Sequence, residues 1–149
     1  IVDNELWLRS KTQVNGYLNA DNVKFTDDGW FKTGDIVEQH EDGYLRIIGR
    51  NSDMINVGGL KVLPDEVETL LLEHPLIDDC MVCSEPNPIT GQIVAAQIVT
   101  KSDITVRELK KEIYSFCKDK LDTYKIPVRI KIVEKLNYSS RFKKIRRWD

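Results

Sequence analysis

The sequence predicts an α+β protein in which a short β-rich segment precedes a small domain of helices packed on a mixed or antiparallel sheet. Three observations predict it. Short apolar runs alternate with turn clusters up to about residue 50, and from Asp53 onward strand-like and helical periodicities interleave. An apolar content of 41% beside a nearly sign-balanced charged fraction of 31% suits one or two small globular domains.

In the first segment, Leu6-Trp7-Leu8 reads as a strand, and Asp27-Asp28-Gly29 and Glu41-Asp42-Gly43 read as turns. Ile36-Val37-Glu38 is expected to pair with Tyr44 to Ile48 as a hairpin. A short strand from Met54 to Val57 then runs into Gly58-Gly59. A helix follows from Pro64 to about Glu73, with proline at the first position, Asp65 and Glu66 in the first turn and Val67, Leu70 and Leu71 at helical spacing. Strands are expected at about Asp79 to Cys83 and Ile93 to Lys101, separated by a Pro86-Asn87-Pro88 turn and Gly91. Thr105 with Glu108 predicts a capping box that opens a second helix, whose stripe is Val106, Leu109, Ile113, Phe116 and Cys117. The last strand is Val128 to Val133, and the tail beyond Asn137 is polar and basic.

A net charge of −2 gives no global reason to expect nucleic acid or an acidic membrane as partner. No apolar run is long enough to span a bilayer, and the N-terminus lacks signal-peptide order, so a cytoplasmic location is the default. The odd number of cysteines, Cys80, Cys83 and Cys117, reads as reduced thiols. Ile1 to Arg9 alternates like a strand already under way, and we read the chain as a fragment.

Four stretches could carry chemistry. In Gly29-Trp30-Phe31-Lys32-Thr33-Gly34-Asp35 a carboxylate follows a Thr-Gly turn at the mouth of a hairpin, and it could accept both hydroxyls of a ribose or merely cap its own backbone. Arg50, in the polar joint Gly49 to Asp53, could grip a phosphate or stay solvated. Gly58-Gly59 could mark close approach to a ligand, or only a bulge or hairpin turn. Arg141 to Arg147 holds five cations in seven residues, a phosphate or nucleic-acid patch or a solvated terminus. Cys80 and Cys83 lack the second pair of a zinc site, and neither His40 nor His74 has a partner for nucleophilic catalysis; no metal ligands are expected.

In order and spacing, Asp28-Gly29-Trp30-Phe31-Lys32-Thr33-Gly34-Asp35, Asp42-Gly43-Tyr44-Leu45 and Gly49-Arg50 through Glu66-Val67-Glu68 resemble the adenylate-forming superfamily, in particular the C-terminal part of acyl-CoA synthetases. The resemblance covers nearly the whole chain. It implies that residues 1–50 end a large adenylation domain, that 51–52 form a hinge with Ser52 at its centre, and that 53–149 form a mobile lid. It implies ribose binding by Asp35, nucleotide contact by Arg50, and a thiol tunnel lined at Gly58 and Gly59, with Gly59 favoured. Ser52 stands where the family usually has Asp or Lys. The tail departs further: the usual Leu-Pro-x-Thr-x-x-Gly-Lys-x-x-Arg reads here Leu136-Asn137-Tyr138-Ser139-Ser140-Arg141-Phe142-Lys143-Lys144-Ile145-Arg146. Its register sets Lys143 at the catalytic lysine, with Lys144 as a competitor one residue on.

The implied reaction makes an acyl adenylate and then a thioester, using ATP, Mg2+ and coenzyme A or a carrier-protein pantetheine with a small carboxylic acid. The fragment alone is expected to be inactive, because the phosphate loop and acid pocket belong to a missing N-terminal domain. Two rival readings are a nucleic-acid module using the basic tail and a stand-alone interaction domain.

Overall fold

The structure is a computed structural model and describes every residue except 15, 20, 141–143 and 149. The chain divides into two compact units, Ile1–Ser52 and Asp53–Asp149.

The first unit is built on an antiparallel sheet ordered β1 (Glu5–Leu8), β2 (Phe31–Gln39), β3 (Leu45–Arg50). The expected hairpin is present, with Val37 opposite Ile47 and Gln39 opposite Leu45. Thr33-Gly34 is not the turn expected at its mouth. Both residues lie inside β2, because the buried Thr33 hydroxyl donates to the Leu6 carbonyl at 2.7 Å and the Gly34 amide donates to Glu5 Oε1 at 2.9 Å. These bonds hold the segment against β1, and the irregularity appears instead as register slips, between Glu5 and Trp7 on one side and between Ile36 and Val37 on the other.

The second unit contains β4 (Ile55–Val57), β5 (Leu60–Val62), α1 (Pro64–Leu72), β6 (Ile77–Asn87), β7 (Gly91–Thr100), α2 (Val106–Cys117) and β8 (Arg129–Ile132). The sheet is ordered β5-β4-β7-β6, with β8 parallel to β7 and the other pairs antiparallel. The sheet is therefore mixed, one of the two alternatives expected. Residues 105 and 108 form the full capping box of α2, and the helix inserts Leu109, Ile113 and Cys117 into the core, while Val106 stays exposed. Thr105→Ala removes the hydroxyl half of that box, leaving only the residue-105 amide donating to Glu108, and is expected to cost ~1 kcal/mol of stability; hydrogen exchange of the α2 amides measures it, and unchanged rates would contradict it.

The hairpin β6-β7 runs longer than expected. Pro86 pairs with Gln92 and Asn87 with Gly91, so the reversal is confined to Pro88–Thr90. Pro86 is tolerated because β6 is an edge strand, where a missing N–H breaks no second ladder. Strand alternation gives the sheet two buried faces. Cys80, Val82, Val94, Ala96 and Ile98 join Val67, Leu71, Leu109 and Ile113 from the helices, whereas Met81, Cys83 and Ala95 pack under Leu136 and Trp148. Cys80 and Cys83 therefore belong to opposite faces, as positions three apart on a strand must.

Candidate active site

Asp35 and Arg50 are fifteen residues apart in sequence but directly opposite each other in the β2-β3 ladder. Their side chains meet, Arg50 Nε to Asp35 Oδ1 at 2.7 Å, with the carboxylate largely covered at 18% exposure and the guanidinium open at 48%. Positive φ at Gly34, +79°, lets the chain pass from Thr33 to Asp35 while Thr33 Oγ1 accepts the Asp35 amide at 3.0 Å. The carboxylate is thus oriented from its backbone and from its partner. One oxygen, Oδ1, takes the arginine, and a carboxylate has acceptor capacity beyond that.

Gly58 and Gly59 form the two-residue turn of the β4-β5 hairpin, a strand pair of which only the first half is evident in the sequence. Both have positive φ, +60° and +92°, the signature of a hairpin turn that matches strand twist. Asn56 Oδ1 accepts the Gly59 amide at 2.8 Å, and the Thr90 carbonyl accepts the Gly58 amide at 2.9 Å, which fixes the turn beside the β6-β7 reversal. A Cβ added at Gly59 would meet nothing within 4 Å, so its surroundings in this chain leave the space open and only the backbone demands glycine.

Ser52 is exposed within the 3-10 turn Asn51–Asp53. Lys143 lies outside the described residues.

The adjacent Lys144 does not reach into solvent. Its ammonium lies 3.2 Å from Glu68 Oε2, 3.2 Å from Asp79 Oδ1 and 2.5 Å from the Cys80 carbonyl. Burial pulls its pKa down, but Glu68 and Asp79 outweigh burial and leave it above the ordinary lysine value. Arg146 pairs with Glu68, with Asp65 Oδ1 at 2.7 Å and with Asp53 Oδ2 at 3.4 Å, and donates to the Val82 carbonyl at 2.9 Å. Asp79 also accepts the Tyr138 hydroxyl at 2.5 Å; burial opposes its charge, yet the bonds from Tyr138 and Lys144 hold its carboxyl below the usual range. The Cys80 thiol is pushed up to about 12, by burial first and then by Glu68, so it is an inert core thiol at neutral pH.

Sequence reasoning overlooked this cluster, although two signals marked it. Glu68 occupies an apolar-stripe position of α1 beside Val67 and Leu71, and Lys144-Ile145-Arg146 alternates like a strand with cations on one side. Two cations of the basic tail are thus committed within the protein, which weakens the nucleic-acid reading. Among the described residues no group of three His, Cys, Asp or Glu could hold a metal ion. His40 is exposed in its turn; His74 is buried, stacks edge-on against Phe116 at 4.9 Å, and burial lowers its pKa. No helix among the described residues is long and apolar enough to cross a membrane.

Residues 66–143 match the model of the AMP-binding enzyme C-terminal domain, and the chain belongs to that family. Among curated relatives it is 37% identical over 134 residues to a 2-succinylbenzoate–CoA ligase of Bacillus licheniformis, covering 89% of this chain and 27% of that protein. It is 40% identical over 144 residues to a malonate–CoA ligase of Arabidopsis thaliana, covering 89% and 24%. Among solved structures it superposes on o-succinylbenzoate CoA synthetase of Bacillus subtilis in complex with its acyl-adenylate intermediate, with TM-score 0.81 and 29% identity over 95% of this chain and 29% of that one. The same synthetase is also known with ATP and magnesium. The chain thus spans about a quarter of the length of the curated relatives it matches.

Proposed function

We propose that this chain is the C-terminal part of an ATP-dependent acid:thiol ligase, in which Asp35 and Arg50 hold the nucleotide and Lys143 assists adenylate formation. The Asp35–Arg50 pair carries the reading: a largely covered carboxylate oriented on a β-ladder, beside an exposed guanidinium, is suited to a ribose diol and its neighbouring phosphate. Residues 1–50 close the adenylation domain, 51–52 are the hinge at Ser52, and 53–149 are the lid. The preceding domain supplies the acid pocket and the phosphate loop.

In the first half-reaction a carboxylate oxygen of the acid attacks the α-phosphorus of ATP, the bond to the bridging oxygen breaks, and pyrophosphate leaves with that electron pair. Negative charge grows on the phosphoryl oxygens, and the ammonium of Lys143 offsets it. In the second, a thiolate sulfur attacks the acyl carbon and AMP leaves on the carboxyl oxygen. Here the chain's contribution is the Gly58-Gly59 turn, where an added side chain would obstruct the thiol's arm. The acceptor is coenzyme A, in keeping with the named relatives, and a carrier-protein pantetheine is the second choice. Mg2+ would enter with the phosphates of ATP, as no group of three His, Cys, Asp or Glu among the described residues could hold a metal ion. We place the ligase in the cytoplasm.

Asp35→Ala in the ligase that carries this chain is expected to weaken ATP use by about 1.5–3 kcal/mol, the usual loss for hydrogen bonds to a charged group. Pyrophosphate exchange as a function of ATP concentration measures it. An unaltered ATP dependence would return Asp35 to a purely structural ion pair with Arg50.

A further inference from the structure

We propose that Lys144 and Arg146, acting through the buried carboxylate of Glu68, are positioning residues for adenylate formation that moor residues 144–148 on the outer edge of β6. The inference rests on the reading of Lys143 given above and deepens it, because it assigns separate jobs to the two adjacent lysines.

Strand β6 pairs with β7 along one side, and its other side is a sheet edge. Cys80 and Val82 present their backbone groups along that edge, where an added strand would bind. Side chains take the strand's place. Asp79 Oδ1 accepts the Cys80 amide at 2.8 Å and Glu68 Oε1 the Val82 amide at 2.7 Å; Lys144 donates to the Cys80 carbonyl and Arg146 to the Val82 carbonyl. Residues 144 and 146 fall on one side of an extended segment, so both cations enter the edge together. The backbone between them is tied as well. The Ile145 amide donates to the Asn137 carbonyl at 2.9 Å, and Tyr138 and Lys144 form an antiparallel bridge. Farther on, Gln97, itself buried, donates to the Arg147 carbonyl at 3.0 Å, and Trp148 packs on the second core. The tail is therefore pinned at every residue from 144 to 148.

Satisfiability decides between the lysines. An ammonium has three donors, and Lys144 faces three acceptors within this chain, Glu68, Asp79 and Cys80, which leaves none for a phosphate. Its role is to moor the tail. Glu68, 5% exposed, would in turn be a buried unpaired charge without the two cations. Arg146 reaches Asp53, the first residue of the second unit, so the tail is fastened to the start of that unit as well as to α1 and β6.

The test uses Lys144→Met and Glu68→Gln, which keep side-chain volume, and Lys144→Arg, which keeps the charge. In the 149-residue chain, hydrogen exchange of the Ile145 amide should accelerate at least about tenfold in the first two variants, while β7 amides stay protected as a control on folding. In the ligase, both should lower pyrophosphate exchange roughly 10–100-fold, the scale of a misplaced catalytic group. Thioester formation from a supplied acyl adenylate should be spared, and Lys144→Arg should recover most of the loss. Ile145 exchange that stays slow, or a loosened tail with undiminished pyrophosphate exchange, overturns the inference. Lys143→Ala tests the underlying reading separately: full pyrophosphate exchange in that variant removes the role of Lys143 and the inference with it, whatever the amides show.

Discussion

Lys143→Ala, made in the ligase that carries this chain, is expected to lower ATP–pyrophosphate exchange by about 10²–10³-fold, the typical loss when a charge aimed at a transition state is removed. Thioester formation from pre-made acyl adenylate should remain nearly intact, since that step attacks the acyl carbon and not the α-phosphorus. Gly59→Leu should show the opposite pattern, because its side chain would stand in the thiol's path. Its backbone, at φ +92°, also resists any side chain, so the variant's stability must be checked beside its rate. Pyrophosphate exchange reports the first half-reaction and thiol-dependent AMP release the second. Equal damage to both halves by Lys143→Ala would indicate a binding role common to both. A silent Lys143→Ala together with a crippled Lys144→Ala that keeps the tail amides protected would shift the catalytic lysine by one position.

Leu71→Ala should cost about 2–5 kcal/mol, the range for removing a fully buried leucine without collapse of the cavity. Leu71 is 0% exposed on α1, within the cluster that also contains Val67, Ile77, Ile113 and Cys117. The measurement is the change in hydrogen-exchange free energy of the slowest β7 amides, which open with the second unit. A loss below about 1 kcal/mol would mean that the site closes around the smaller side chain.

The local features of this protein were written in its sequence. Pro64 with its acidic first turn, the Thr105–Glu108 box and the alternation of β6 and β7 each depend on residues within one helical turn or one strand, so propensity and periodicity suffice to find them. The candidate site residues were legible for another reason: Asp35, Arg50, Gly58 and Gly59 sit in motifs whose spacing the family resemblance supplies. Tertiary structure alone decided who meets whom. That Arg50 stands opposite Asp35 depends on where the β2-β3 ladder slips, and that the glycine pair closes a hairpin depends on Leu60–Val62 pairing back on β4. Both are registers, and a strand's sequence fixes its alternation but not its partner's offset. The Glu68 cluster lay deepest. Its ion pairs join residues 76 and 78 positions apart, and no short-range pattern relates a carboxylate on α1 to two cations near the end of the chain. What relates them is the open edge of β6, whose unpaired amides and carbonyls exist only once the sheet has formed and must then be satisfied by whatever the fold brings beside them.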